Sequence, residues 1–422
     1  MEKIFLKSDL GKSFEDYDFP GLKNSLKMEQ TQVVNKIKES VLKGRGGAGF
    51  PAGIKWETAY HVEDDVKFVV CNADEGEPGT FKDRFLMENL PYKVIEGIVI
   101  CGYAVGSKYG YIYIRGEYTE AIKIIRKTIQ KMYEKKYLGN NILGTDFSFD
   151  LKLVRGAGAY VCGDETSLIN SIEGERGMSR IKPPLPVFEG LYGKPTVVNN
   201  VETLSAAAEI MKYDNNPYLH MGTEKSKGTK LVSISGDVYK PGVYEVEFGK
   251  MTVKEIVNEL AGGVKGSGLG FVIPGGISTE VLTENEWDVP YTYEDLYKIG
   301  TNIGSGGMIV VSKDRNYLEI IKNVSDFFRD ETCGTCFPCR EGNKNINKMV
   351  SEIYERGYPT KKEIEIISDI KNAVSLAARC GFGEASVNLI LSILENFYAK
   401  KVERWELRLI IESMSFKKNW VF

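Results

Sequence analysis

Three cysteines fall within seven residues, in the run ETCGTCFPCREG at 331–342, and a fourth, Cys380, follows in ARCGFG. Two successive C-x-x-C steps can bring Cys333, Cys336 and Cys339 to one point, with the remote Cys380 closing the shell, as in the binding of 4Fe–4S clusters. Pro338 and the glycines Gly334, Gly342 and Gly381 suit a tight loop whose backbone N–H groups donate to sulfur. Structural zinc is the competing chemistry, but zinc sites more often pair two C-x-x-C knuckles or include histidine, and no histidine lies near. Cys71, Cys101 and Cys162 bring the total to seven, an odd number that argues against a disulfide framework.

A second run, GRGGAGFPAG at 44–53, precedes Lys55. Gly44, Gly46 and Gly49 satisfy G-x-G-x-x-G literally, and the acidic Glu63, Asp64 and Asp65 follow about twenty residues on. A dinucleotide fingerprint needs a strand before its glycines, and here a helical stretch precedes them. Nucleotide loop and plain glycine turn both stay open, although such glycines let backbone amides approach a phosphate or planar ring. In CNADEGEPGTFKDR at 71–84, Asn72, Asp74, Glu75 and Glu77 gather at the carboxyl end of a strand-like run, where α/β sheets bind ligands. Carboxylates there suit ribose or ribityl hydroxyls; a solvated acidic turn is the plain alternative. RGAGAYVCGDET at 155–166 and RIKPPLPVFEGLYGKPTVVNNVET at 180–203 add Lys182, Asn199 and Asn200 as ligand groups. Each could be only a loop on its own, but several such turns beside a cysteine box point to a shared site.

The elements around these loops alternate. Strand-like runs at 67–73, 111–115 and 149–155 are interleaved with helical runs at 94–106, 121–133 and 166–174, the pattern of an α/β domain with a largely parallel sheet. Residues 1–40 read as a lead-in, 41–225 as the α/β domain, and the small polar run at 221–230 as a linker. In 229–315, two strands around a Lys-Pro-Gly turn, one compact helix ending in glycine and two further strands suggest a small α+β module of the β-grasp kind. From 316 to 422 apolar residues recur at three- and four-residue spacing, as in a helical bundle. The basic stretch at 123–136 carries isoleucines at helical spacing and reads as a solvated helix face.

Net charge is −3, the hydrophobic fraction 42% and the charged fraction 27%, ordinary for a globular chain and no footprint for nucleic acid. No stretch approaches the uncharged apolar length of a membrane span, and the first residues lack the apolar core of a secretory signal, so direct membrane insertion is not expected. A cytoplasmic location, free or peripheral to a membrane complex, is expected.

In their order and length these motifs resemble the NADH-oxidising flavoprotein subunit of respiratory complex I and the related diaphorase subunits of NAD-linked or electron-bifurcating hydrogenases and formate dehydrogenases. The resemblance implies a Rossmann-like FMN domain, a β-grasp (ubiquitin-like, SLBB) domain and a helical 4Fe–4S domain. It places FMN against Gly44, Gly46, Lys55, Asn72, Asp74, Glu75, Tyr160, Gly163, Asp164, Asn199 and Asn200. It places NAD(H) over the flavin against Phe50, Glu77, Glu165 and Lys182, with Glu75 and Glu165 positioning, and the cluster on Cys333, Cys336, Cys339 and Cys380. Hydride transfer between nicotinamide and flavin needs no side-chain general base. The implied partners are a thioredoxin-like 2Fe–2S subunit and a larger iron–sulfur, hydrogenase or formate dehydrogenase subunit, since no further cysteine motif occurs here.

Three positions depart from the family pattern. Thr58 and Leu185 stand where aromatic residues usually join Phe50 around the adenine, with Tyr60 and Phe188 near enough in sequence to compensate. Asp164 replaces a glutamate. These changes bear on dinucleotide affinity and on NADH against NADPH, and they keep two alternatives open: the flavin subunit of a bifurcating complex, or an electron-relay subunit with a degenerate dinucleotide site.

Overall fold

Four strands form a sheet in which every neighbouring pair is parallel. β1 (Phe68–Ala73), β2 (Tyr109–Ile114), β3 (Asp150–Arg155) and β4 (Thr196–Asn200) lie in the order β3-β2-β1-β4. The structure, a computed structural model, describes residues 8–399; the expectations for residues 1–7 and 400–422 lie outside them. Val69, Val70 and Cys71 of β1 are fully buried, as a central strand covered on both faces requires. The chain builds outward from β1 to β3, then returns to lay β4 on the other side of β1. That reversal opens a crevice at the carboxyl ends of β1 and β4, where α/β sheets take ligands. Asn72 ends one strand and Asn199 and Asn200 the other.

Helices Pro91–Val105 and Val201–Lys212 pack on one another. A Cβ added at Gly97 would stand 2.0 Å from the Leu204 carbonyl oxygen, so glycine is what permits this contact. The N-terminal residues join the same core through Phe14, Tyr17, Phe19, Leu22, Val33 and Ile37. The buried Glu96 carboxylate fixes them, accepting from Tyr17 Oη at 2.5 Å and Leu22 N–H at 2.8 Å. The expected lead-in is thus one wall of the α/β body.

β5 (Thr229–Gly236), β6 (Gly242–Glu247), β7 (Leu269–Ile273), β8 (Leu282–Thr283) and β9 (Gly307–Ser312) form a second, mixed sheet in the order β6-β5-β9-β7-β8. β5 and β6 make the expected hairpin, while β9 runs parallel to β5 and antiparallel to β7. The helix expected here opens at Val253–Glu255 behind a Thr252/Glu255 capping box but continues as a π-turn over Ile256–Leu260. The wider turn is closed by the Ala261 N–H on the Ile256 carbonyl at 3.3 Å, with Val253, Ile256 and Val257 all buried.

The polar run at 221–230 is no solvated linker. Lys230 begins a sealed ion network: Glu202 takes Lys230 Nζ at 2.5 Å, Lys82 Nζ at 3.0 Å and the Leu231 N–H at 2.8 Å, and Asp83 holds Lys82 at 2.6 Å. The side chains of Lys82, Lys230 and Glu202 are at most 1% exposed, tolerable only because they are paired. Burial pushes Lys230, with Glu202 beside it, down to about 7. Burial also pulls on Lys82, but Asp83 and Glu202 together hold it above the ordinary lysine value.

From Tyr317 the described chain is helical, with Tyr317–Glu331, Phe337–Arg356, Lys361–Ala377, Gly381–Ala385 and Asn388–Phe397. Ile321, Phe328, Ile346, Val350 and Ile367 share one core with Phe271 and Ile273 of β7. The protein is therefore a mixed α/β fold with a parallel sheet and a C-terminal helical region. Among the described residues no helix is long and apolar enough to cross a membrane.

Glu202→Gln strands Lys230 without a carboxylate in a buried site, which costs about 3–5 kcal/mol. Urea unfolding should show a lowered midpoint with an unchanged slope; an unaltered midpoint would mean that the network does not hold the two sheets.

Candidate functional site

The glycine run closes on itself at the mouth of the crevice. Gly44 N–H donates to the Phe50 carbonyl at 2.8 Å, and Ala52 N–H to that of Leu42 at 2.8 Å. Gly46 lies on the end of β4, where an added Cβ would stand 3.1 Å from Asn200 Cβ. Tyr293, from beyond the parallel sheet, backs the loop: its hydroxyl donates to the Gly44 carbonyl at 3.2 Å and its ring faces Gly49. Arg45 points inward, its N–H on Thr203 Oγ1 at 2.8 Å and its Nη2 on the Lys227 carbonyl at 2.9 Å.

The acidic run divides its tasks. Asn72 Nδ2 donates to the Gly163 carbonyl at 2.8 Å, drawing the β1 end to the 155–166 loop. Asp74 is buried and its Oδ1 has no hydrogen-bond partner, an acceptor left over at the crevice. Burial, reinforced by the charges of Glu117 and Glu331 and opposed by Arg115, lifts its carboxyl to about 7. Glu75 has a left-handed backbone (φ +38°), and its carboxylate turns to the helix Lys82–Asn89. There it accepts from Asp83 N–H at 2.6 Å, Arg84 N–H at 2.8 Å and Tyr118 Oη at 3.1 Å, the role of a helix cap. Glu77 accepts from Tyr160 Oη and from Ser278 of the second sheet's loop at 2.9 Å. Burial raises its carboxyl despite these donors.

Charged side chains form a chain along the other rim. Glu165 stands between Lys55 Nζ at 3.0 Å and Lys182 Nζ at 3.4 Å, and Lys182 also reaches Asp164 at 3.4 Å. Asp164 caps the helix Glu165–Ile172, its Oδ2 accepting from Thr166 N–H at 3.0 Å and Ser167 N–H at 3.1 Å. That is work for which a short carboxylate is suited, and it gives a local reason for aspartate at this position. Burial pushes Asp164 up, but Lys182 and the helix donors hold it below the usual carboxylate range. Asn199 Oδ1 accepts from Trp56 Nε1 at 2.7 Å, fixing the floor. Phe50 is 51% exposed, with Leu185 (45%) and Phe188 (52%) also open to solvent. Tyr60 packs against the core and Thr58 Oγ1 bonds back to the Ile54 carbonyl at 2.9 Å, so neither extends the aromatic rim.

The four cysteines cluster beside this crevice. Cys333 packs on the core containing Val161 and Cys162 of the flanking loop. Cys336 and Cys380 each stand at a helix N-terminus, favourable ground for thiolate. Asn343 Nδ2 lies 3.5 Å from Cys339 Sγ, and Gly383 N–H donates to the Cys380 carbonyl at 3.1 Å. Burial nevertheless pushes Cys380 up to about 11 and also raises Cys339, near Cys336 and Cys333, so binding a metal centre must displace protons. Among the described residues, no three His, Cys, Asp or Glu side chains stand at the spacing of a single metal ion.

Several contributors carry no motif in the sequence. Tyr293, Ser278 and Arg115 are brought in by tertiary packing alone, and only the glycine pair before Ser278 marks a tight turn there.

A parallel sheet with a glycine-lined crevice beside a four-cysteine helical rim defines a flavin- and iron–sulfur-binding component of an oxidoreductase. Residues 37–209 match the Nuo51 FMN-binding domain, and 319–404 the NADH-ubiquinone oxidoreductase-F iron-sulfur binding region. The chain belongs to the NADH-ubiquinone oxidoreductase-F family. It is 40% identical over 378 residues to the second NADH-quinone oxidoreductase-F protein of Rhizobium meliloti, covering 89% of each chain. It is 40% identical over 390 residues to the HndC component of the NADP-reducing hydrogenase of Solidesulfovibrio fructosivorans, covering 91% of this chain and 79% of that one. Among solved structures it resembles an NAD+-reducing NiFe hydrogenase in the H2-reduced state, with TM-score 0.81 and 33% identity. That match takes in 90% of this chain but only 63% of the hydrogenase chain.

The folded Asp74 carboxyl stays protonated between its ordinary 3.8 and about 7, so its contribution to stability falls as pH rises through that window. In FMN-free protein Asp74→Asn should melt above the parent at pH 8 and level with it near pH 4. A difference independent of pH would place the carboxyl in water.

Proposed function

We propose that the chain is the NADH-oxidising diaphorase subunit of a multi-subunit redox complex, taking hydride at the crevice and releasing electrons through the cysteine rim. The observation that carries this is the juxtaposition of the two sites: Tyr160, on the crevice loop, packs on Phe382 of the Cys380 turn at 5.6 Å between ring centres. When bound, FMN supplies hydride acceptance and single-electron release, and a 4Fe–4S cluster supplies one-electron relay.

The residues divide that work. Gly44 and Gly46 leave space for a planar ring or phosphate; Asn72, Asn199 and Asn200 hold the loops around it, and Asp74 Oδ1 offers a free acceptor. Glu75 acts through the helix it caps, and Gly163 and Tyr160 close the cluster side. The dinucleotide lies against Phe50, with Glu165 and Lys182 exchanging their ion pairs for its polar groups and Glu77 facing the reacting end. Cys333, Cys336, Cys339 and Cys380 hold the cluster, two of them aided by helix N-termini. The mixed sheet with its two capped helices, opening at Val253 and Tyr293, supports a β-grasp domain of the SLBB kind over 229–315, between an FMN domain over 41–225 and a cluster domain over 316–422. The partners are a thioredoxin-like 2Fe–2S subunit and a larger iron–sulfur, hydrogenase or formate dehydrogenase subunit, in the cytoplasm or at the face of a membrane complex.

A second reading, an electron relay without dinucleotide turnover, draws on the rim, where Thr58 and Tyr60 are committed elsewhere. Purified with its partners and titrated anaerobically, the protein should bleach at the flavin maximum on adding NADH or NADPH and then show a reduced-cluster EPR signal. Cys380→Ser should keep the bleaching and lose that signal. FMN that dithionite reduces but neither nucleotide bleaches would overturn the diaphorase reading in favour of the relay.

A further inference from the structure

Both oxygens of Glu77 are committed. Oε1 accepts from the Ser278 N–H at 2.9 Å and from Ser278 Oγ at 2.9 Å, while Oε2 accepts from Tyr160 Oη. Gly276 makes the approach possible, since an added Cβ would stand 2.5 Å from Glu77 Cγ. Ser278 lies on the turn between β7 and β8, in a segment that carries none of the ligand motifs. The same turn grips the helical region: Asn388 Nδ2 donates to the Ser278 carbonyl at 3.1 Å, Val281 N–H to Ser392 Oγ at 3.1 Å, and Lys371 pairs with Glu280 at 3.5 Å.

At the far side of Glu77, Tyr160 is held at both ends. Its N–H donates to Glu331 Oε2 at 2.8 Å, just before the first cysteine. Its ring packs against Phe327 at 5.1 Å and Phe382 at 5.6 Å, the latter two residues beyond Cys380. The hydroxyl of this half-buried tyrosine has its partner in Glu77. Two donors from one serine orient the Glu77 carboxylate so that its second oxygen faces that hydroxyl.

We infer that Ser278 is a positioning residue: by fixing the Glu77 carboxylate it sets the Tyr160 ring between the glycine-lined crevice and the Cys380 turn. This rests on the assignment of that crevice to FMN. Without the serine hydroxyl Glu77 Oε1 keeps only the backbone donor, so the carboxylate charge is less well screened, and the added electrons of a reduced flavin beside it would be disfavoured.

The test is a dithionite redox titration of the FMN- and cluster-loaded protein, parent against Ser278→Ala and Ser278→Thr, with FMN content and thermal midpoint measured in parallel. Ser278→Ala should lower the flavin midpoint, changing the reduced-to-oxidised ratio about tenfold at a fixed potential, as expected for one hydrogen bond to a charged group. FMN content should be retained, and Ser278→Thr, which keeps the hydroxyl, should follow the parent. A midpoint unmoved in Ser278→Ala, or a shift equally large in Ser278→Thr, would overturn the positioning role. The titration uses no dinucleotide, so a parent that NADH does not bleach removes the diaphorase reading and leaves this inference standing. A parent that retains no FMN removes both.

Discussion

One turn of backbone, Asn200 to Thr203, carries a carboxylate that cannot reach water, and the glycine loop, the acidic run and the second sheet are tied to it. Glu202 must be neutralised where it lies, and it is, by Lys82 from the helix after the acidic run and by Lys230 from the second sheet. Its neighbours work outward from the same turn. Asn200 caps the helix and donates to Asp83 at 2.6 Å, while Thr203 receives the Arg45 N–H of the glycine loop at 2.8 Å. A site made from separate loops needs them held to fractions of an ångström. Here the rigidity comes from beneath, from charges that are expensive to leave unpaired.

Above that foundation, neighbouring functions are joined by shared side chains. Tyr160 belongs to the crevice loop by sequence and to the cysteine rim by packing, its N–H on Glu331 and its ring among three phenylalanines. The ion chain of Lys55, Glu165, Lys182 and Asp164 leaves each charge paired before any ligand arrives. A ligand entering there exchanges one set of contacts for another, which favours selectivity over raw affinity.

Much of this was legible from residue order. The central strand of the parallel sheet holds an apolar run, Phe68–Cys71, and the cysteine spacing has few other uses, so both are recognisable without neighbours. What remained hidden depends on partners far along the chain. Lys230 sits in a run of charged and small residues that reads as solvated, and only Glu202 explains its burial. Glu75 looks like one ligand among four carboxyl and amide groups, yet a left-handed backbone turns it to a helix end. The π-turn at Ile256–Leu260 has the same apolar spacing as an ordinary helix. Ser278 has no local signature, because its meaning lies in Glu77.

The cores are interlocked in a way that bears on how such a chain is inherited. Leu231 of β5 belongs to the hydrophobic core of the parallel sheet, and Phe271 of β7 to that of the helical region. A cut between modules exposes apolar surface and strands buried charge on both sides, so half of the chain is of little use to a recipient. A unit that cannot be cut is expected to travel whole, and the chain does match relatives of both kinds along 89% and 91% of its length.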